Sequence, residues 1–376
     1  MVPNPIPLPV PDIRRVLITT DTIGGVWYYT MELARGLKKL GVEPLIAAFG
    51  ETPAQERMAY DDFAIYAFPC RLEWMQDPWD DVRRSGEWLR DLSDRCDPDV
   101  VHLNSYAHAA MGFSAPVLVV GHSCVFSWYQ AVKRRAPSRR WDRYREAVQM
   151  GLAAADAVTA PTAAMLAELD RYYGPFKKCH PIPNGRGIAD FPMSSAKAPI
   201  VLSAGRVWDA AKNISALAQV AEDLAWPVMV AGEQRHPDGG QTTIDSVHPL
   251  GFLSQLRFAA WLSKTSIYAL PALYEPFGLT VLEAALAGCA LVLGDIPSLR
   301  ETWDGAAVFV PPRRTDLLRS ALECLIEDPK LRHRRARKAR QRALEYTAEK
   351  MACAYLALYQ QLLGKQGAQR ALHRRA

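Results

Sequence analysis

Short apolar runs alternate with helix-patterned stretches along nearly the whole chain, and this alternation constrains the fold more than any other feature. Arg15–Thr20 (RVLITT) is a β-rich run followed by Gly24–Gly25. Val26, Tyr29, Leu33, Leu37 and Leu40 then recur at helical spacing, with Gly41 placed to cap the helix C-terminus. Further apolar runs stand at 44–49, 99–104, 116–121 and 157–161, separated by helical stretches such as 137–155. Alternation of this kind predicts a parallel sheet with helices on both faces. The pattern pauses over 183–199, which is rich in Pro, Gly and Ser. It restarts with strand-like runs at 199–207, 227–233, 248–253, 266–273, 290–295 and 307–312, and a helix over 213–224. A chain of 376 residues suits two domains. The expected architecture is α/β: two doubly wound, Rossmann-like domains over 1–185 and 199–345, joined by a linker at 186–198. A C-terminal helical extension over 346–376 is expected to pack back on the first domain and to end in a frayed tail from Lys365.

Composition removes several classes. An apolar fraction of 49% and a charged fraction of 23% describe an ordinary soluble globular protein. A net charge of +5 over so long a chain does not point to nucleic acid. The seven cysteines are scattered and never spaced C-x-x-C, which argues against a disulfide framework or a zinc site and favours a reducing compartment. Prolines interrupt the N-terminal run where a signal peptide needs an unbroken apolar core, so it reads as an extended leader. The longest apolar stretch, Ala284–Leu293, is broken by Gly288 and is too short for a bilayer. The expected location is the cytoplasm.

Three segments carry chemistry. Gly24 and Gly25 lie between a strand and a helix, where glycine lets a ligand approach the backbone and the helix N-terminus offers unpaired N–H groups to phosphate. The G-x-G-x-x-G dinucleotide fingerprint is absent, and a plain strand-to-helix turn explains the pair equally well. Glu275 and Glu283 frame the run EPFGLTVLE, with a helix expected to start near Leu279. Glu283 would rise only about 6 Å into that helix and lean back towards its N-terminus, so it suits accepting hydrogen bonds from sugar hydroxyls. Alone, a glutamate there also serves the helix dipole. Arg206 and Lys212 flank a loop at the C-terminal end of the strand 199–205, where open α/β sheets bind ligands, and two cations there can neutralise a diphosphate without a metal.

GGVWYYTMELARGLKKLG, PDVVHLN, VVGHS, PNG, AGR with a following KN, and EPFGLTVLEAALAG occur in that order. The set resembles the retaining nucleotide-sugar glycosyltransferases of GT-B fold, in particular glycosyltransferase family 4, from Arg15 to about Gln361. The resemblance implies two domains facing a cleft. Gly24 and Gly25 would meet the donor phosphates, Arg206 and Lys212 the diphosphate. Glu275 and the backbone of Phe277, Gly278 and Leu279 would cradle the donor sugar and phosphates. Glu283 would hold the ribose, Gly251, Phe252 and Leu253 would lie beside the base, and His122 would face the transferred sugar. Asn184 would lie near the cleft. Two departures stand out: the interval from Arg206 to Lys212 is one residue longer than the common pattern, and Ser123 and Cys124 follow the histidine in place of acidic or aromatic residues.

The implied activity is metal-independent transfer, with retention, from a nucleotide-diphosphate sugar to a hydroxyl of a glycan, lipid or small-molecule acceptor. UDP-sugar is the favoured donor, and no cofactor or metal is expected. A nucleotide-sugar epimerase or hydrolase on the same fold, and a non-catalytic sugar-nucleotide-binding protein, are the alternatives. Asp97-Pro98-Asp99 is formally D-x-D, but proline between aspartates ahead of a strand reads as a turn. His102 and His108, six apart, are expected on different faces of a helix and form no metal pair. Residues 133–145 hold seven basic residues and one acidic, with Trp128, Tyr129, Trp141 and Tyr144 interleaved. This run is either a solvated helix face or a surface for an anionic or lipid-linked acceptor at a membrane.

Overall fold

The computed structural model describes residues 12–51, 63–236, 239–240 and 242–373, with side chains to Lys365. The proline-patterned leader lies outside the described residues as far as Pro11. Two six-stranded parallel sheets form the chain's two halves. The first comprises β1 (Arg15–Asp21), β2 (Glu43–Phe49), β3 (Ile65–Phe68), β4 (Val100–Leu103), β5 (Val117–Val120) and β6 (Ala157–Thr159), in spatial order β3-β2-β1-β4-β5-β6. The second comprises β7 (Ala198–Ala204), β8 (Val228–Ala231), β9 (His248–Gly251), β10 (Thr265–Leu270), β11 (Ala290–Gly294) and β12 (Val308–Val310), in order β12-β11-β10-β7-β8-β9.

The two orders are the same doubly wound topology, so each sheet reverses its winding once, at β1/β4 and at β7/β10. Such a switch point leaves a crevice beyond the strand C-termini. Burial explains the strand sequences: β4, β5, β10 and β11 are covered on both faces. β5 and β11 are unbroken apolar runs, and the polar residues of β4 and β10 (His102, Thr265, Ser266) are buried with hydrogen-bond partners. The strand β3 has no counterpart in the sequence reading. It is a four-residue edge strand, IYAF, apolar throughout although its middle residues are exposed, and so short an apolar run does not distinguish a strand from other structure.

Two corrections concern chain ends and turns. The tail expected to fray from Lys365 is helical backbone as far as His373, in keeping with its alanine, glutamine and arginine content. His102 and His108 do not share a helix: His102 lies on β4, whose valines favour a strand, and His108 on the 3-10 turn Ala107–Met111.

The chain passes between the halves twice. The first crossing follows Gly185, and the second lies between the helices Pro329–Ala343 and Ala348–His373. They meet where Arg186 N–H donates to Tyr346 O (3.2 Å) and Ala348 N–H to Arg186 O (3.2 Å). Ala339 and Ala343 belong to the core around β10 and β11. Met351, Ala352, Tyr355 and Tyr359 then join the first half's core against the helix Gly25–Lys39. Gly36 permits that packing, since a methyl there would lie 2.6 Å from Ala352 Cβ.

Candidate active site

The turn after β1 and the turns after β7 and β10 face one another, which brings the three chemistry-bearing segments together. A methyl on Gly24 would lie 3.7 Å from Arg206 Nη1, and one on Gly25 would lie 3.5 Å from Leu279 Cδ1. The glycine turn of the first half therefore touches both the cation after β7 and the helix start after β10. Gly24 takes φ +86°, a backbone state that favours glycine.

Two helices begin at this meeting point, Gly25–Lys39 and Leu279–Leu286, and neither N-cap residue makes a side-chain capping bond. Elsewhere Thr162, Ser254 and Asp328 cap their helices with side-chain oxygens. Other helices, starting after Pro78, Trp141 and Ile296, also lack a side-chain cap. Among the α-helices with a described N-cap, however, only the two at the cleft start on glycine, Gly24 and Gly278, where serine, threonine or aspartate would satisfy the first N–H groups. An anion is the ligand those free donors suit.

The charged side chains are arranged around them. Lys212 Nζ donates to Glu275 Oε2 (2.6 Å), and Glu275 Oε1 accepts from Gly278 N–H (3.1 Å). Ser298 Oγ donates to Glu275 O (2.5 Å), which fixes the irregular turn that carries the carboxylate. Arg206 bonds Asp209 (2.8 Å), whose other oxygen accepts from Trp128 Nε1 across the cleft (2.9 Å). The longer Arg206–Lys212 interval holds a 3-10 turn, Ala210–Lys212, capped by Asp209. The extra residue is absorbed there and Lys212 still reaches Glu275.

Gly251, Phe252 and Leu253 sit two strands along the same sheet edge. Gly205 N–H donates to Ala231 O (3.0 Å) and Gly232 N–H to Gly251 O (2.8 Å), which lines up the ends of β7, β8 and β9. Two strand spacings are about 10 Å, and Phe252 is exposed at that distance. Phe277 is buried, so only its backbone faces the turn.

His122 follows β5. Its Nε2 lies 2.8 Å from Asn104 Oδ1, and its ring meets Tyr29 with centroids 4.5 Å apart. Asn104 Nδ2 donates to Thr19 O (2.6 Å), so Oδ1 is the atom turned to the histidine and Nε2 carries the proton. Burial pushes the imidazole down to about 3, so the ring is neutral at physiological pH.

Glu283 is in the expected helix but is not a free carboxylate. Arg186 Nε lies 3.0 Å from Glu283 Oε1, and Arg186 Nη1 donates to Glu32 Oε2 at 2.9 Å. Arg186 is 1% exposed, so one cation serves two buried carboxylates from opposite halves. Burial pushes Glu283 up to about 7 against the opposing pull of Arg186, with Glu32 and Asp190 adding to the rise. Sequence reasoning placed Arg186 in a linker. A Pro/Gly-rich segment gives no periodicity from which to read burial, and only the charge beside PNG was visible. Asn184, two residues earlier, is buried with its Oδ1 lacking a hydrogen-bond partner.

Asp21 also escaped the sequence reading, although its position is a clue: it ends β1 at the switch point. Its Oδ1 accepts from Ile23 N–H (2.9 Å), and burial raises it to about 6 beside Arg206. Asp97 and Asp99 are structural. Asp97 ends the helix Trp79–Cys96 at φ 44°, and Asp99 Oδ2 accepts from the N–H groups of Arg14 and Arg15 (2.8 and 2.9 Å). Among the described residues no group of three His, Cys, Asp or Glu side chains is placed to hold a metal ion, and no helix is long and apolar enough to cross a membrane.

Known proteins fall in line with this geometry. Residues 23–187 match the model of Glycosyltransferase Family 4, and residues 191–342 that of Glycosyl transferases group 1. The chain is 29% identical over 274 residues to the glycogen synthase of Mycobacterium tuberculosis, a match covering 65% of this chain and 64% of that protein. Among solved structures, sucrose-phosphate synthase from Thermosynechococcus elongatus superposes with a TM-score of 0.77 at 18% identity, over 94% of this chain and 100% of that one. The Anabaena protein HepE in complex with UDP-glucose gives 0.71 at 15% identity, over 94% and 99%. Both likenesses show the fold. With two adjoining family matches that take in Gly24–Gly25, His122, Arg206, Lys212 and the turn at Glu275, the chain belongs among the glycosyltransferases of GT-B fold and resembles family 4.

Proposed function

We propose that this protein transfers a sugar, with retention and without a metal, from a nucleotide-diphosphate donor to a hydroxyl of a glycan, lipid or small-molecule acceptor, a UDP-sugar being the favoured donor. The observation that carries the reading is the convergence of Gly24–Gly25, Arg206, Lys212–Glu275 and the uncapped start of the helix Leu279–Leu286 at one place between the sheets. HepE, which shares the fold, was solved with UDP-glucose.

In this reading the second half, 199–345, holds the donor and the first, 1–185, the acceptor. The diphosphate lies over the two helix N-termini, and Arg206 and Lys212 absorb the charge that develops as it leaves. These cations and N–H groups do the work a divalent ion would do. Phe252 and its neighbours meet the base, and Glu283, oriented by Arg186, accepts from the ribose hydroxyls. Glu275 holds the transferred sugar close to its developing positive charge. His122 is neutral and serves as a hydrogen-bond partner of the sugar, not as an acid. The bond from C1 to the phosphate oxygen breaks as the acceptor oxygen joins C1 on the same face, and the acceptor's proton passes to a donor phosphate oxygen. No side chain is needed as a nucleophile.

The test is a thermal-shift panel of UDP-, GDP- and ADP-sugars, since a ligand at a hundred times its Kd stabilises by about 3 kcal/mol. A UDP-sugar should raise the midpoint with and without excess EDTA. No shift from any nucleotide-sugar would refute the reading, and a shift present only with Mg²⁺ or Mn²⁺ would refute its metal-free part.

A further inference from the structure

A second opening lies along the same cleft. A groove of about 430 Å³ runs between the two halves, with Gln130 and Arg134 on one wall and Leu273, Ile296, Pro311 and Arg313 on the other. It adjoins the turn that carries Glu275: the lining residue Leu273 is two residues before Glu275, and Leu273 N–H donates to Ala211 O (2.8 Å) next to Lys212. The groove therefore opens beside the transferred sugar, on the side away from Phe252.

Its chemistry is cationic over an apolar floor. Neither Arg134 nor Arg313 has a carboxylate partner among the described residues, whereas Arg206, Arg186, Arg300 and Arg314 all do. Arg313 donates through Nη2 to the carbonyls of Ala131 and Val132 (3.2 and 2.9 Å), which fixes its guanidinium across the gap without neutralising it. Arg134 closes a π-helical turn, Tyr129–Lys133, and takes φ +53°, a backbone state that costs a residue with a Cβ. Glycine would fill that backbone position without strain, yet arginine stands there.

We infer that this groove is a subsite for the phosphate ester of a phosphate-bearing acceptor, gripped by Arg134 and Arg313 while the acceptor's apolar face lies on Leu273, Ile296 and Pro311. Guanidinium groups bind phosphate oxygens in pairs, and two of them from opposite walls match one phosphate. Calling the occupant an acceptor rests on the transferase reading; the phosphate site itself does not. The phosphate can belong to a soluble sugar phosphate or to a lipid-linked head group, and the exposed Arg135, Arg139 and Arg140 continue the positive surface beyond the rim.

The experiment titrates the UDP-loaded protein with glucose 6-phosphate, fructose 6-phosphate and glucose, and in a second arm with vesicles of phosphatidylcholine with and without polyprenyl phosphate. Arg134→Gly, Arg313→Ala and Arg313→Lys are compared with wild type. The proposal expects binding of a phosphate-bearing probe in one arm and none of glucose. Arg134→Gly and Arg313→Ala should each weaken it about tenfold, the scale of a lost charged hydrogen bond, and Arg313→Lys should recover part. UDP affinity should stay unchanged. Arg134→Gly should also melt no lower than wild type, since it relieves the backbone, so lost binding cannot be lost folding. Equal binding by wild type and variants, or no phosphate-bearing probe bound in either arm, would overturn the proposal. Failure of UDP itself to bind would count against the transferase reading instead, and phosphate binding would still be decided by the same titrations on the unloaded protein.

Discussion

Replacing Arg186 by methionine removes the buried cation that pairs with both Glu32 and Glu283, leaving only the partly exposed Arg35 acting on Glu32, while keeping much of the side-chain volume. Breaking a buried pair from one side costs about 3–5 kcal/mol, because a charge is left without compensation. Here two carboxylates are left, with Asp190 nearby adding like charge. The cost must depend on pH, and its sign follows from Glu283. Its carboxyl is raised from 4.5 to about 7 in the folded protein, so between those values the folded state binds more protons than the unfolded one. Stability therefore falls as pH rises through that window, by about 3 kcal/mol if the shift is fully expressed. Without Arg186 both carboxylates rise further, and the slope steepens. Thermal unfolding of wild type and Arg186→Met at pH 5 and pH 8 checks this. The variant should lose roughly 10 °C at pH 8 and less than half of that at pH 5, since 1 kcal/mol is worth about 2–4 °C in domains of this size. Glu32→Gln should do the reverse and flatten the slope, because Glu32 is one of the groups that pushes Glu283 up. Equal losses at both pH values, or a loss under roughly 2 °C at pH 8, would refute the view that Arg186 neutralises the pair.

Four further outcomes are expected. With the donor varied at saturating acceptor, Glu275→Gln should lower kcat by an amount equivalent to about 3–4 kcal/mol, whereas Glu283→Gln should mainly raise donor KM; the opposite split would reverse the two roles. Gly25→Ala should fold as well as wild type, because its methyl makes only ordinary contact with Leu279, yet it should raise donor KM by standing where phosphate approaches; an unchanged KM would remove the glycine turn from the donor site. The pH profile of kcat should show no inflection from His122 between about pH 5 and 9, as the ring is neutral throughout; an inflection in that range that disappears in His122→Asn would contradict this. Neutralising Arg135, Arg139 and Arg140 together should weaken binding to anionic vesicles, each residue contributing about 1 kcal/mol; unchanged vesicle binding would leave those arginines a solvated face.

Alternating period and glycine placement made both sheets readable, because strands covered on both faces tend to be continuous apolar runs, as Val117–Val120 and Ala290–Gly294 are. The edge strand Ile65–Phe68 escaped because its apolar run is only four residues long, too short for periodicity to mark it as a strand. The glycine turns at the cleft were legible for a related reason: a helix start left open to a ligand favours glycine over a capping side chain, and Gly24 and Gly278 stand out against Thr162 or Ser254 in the same position. What could not be read was pairing across the cleft. Arg186 with Glu32 is separated by 154 residues, and Trp128 with Asp209 by 81. Single-sequence patterns carry no information at that range, so a buried charge such as Arg186 was legible only as the start of a linker.

The central claim is that this cleft moves a sugar from a nucleotide with retention. It is tested most directly by incubating the protein in EDTA with a UDP-α-sugar and a panel of phosphorylated and unphosphorylated hydroxyl acceptors, and reading UDP release together with the anomeric configuration of the product by NMR. The account predicts UDP formed in step with an α-linked product, both lost in Glu275→Gln. A β-linked product, or no acceptor-dependent UDP, GDP or ADP from any corresponding nucleotide-sugar, would contradict it.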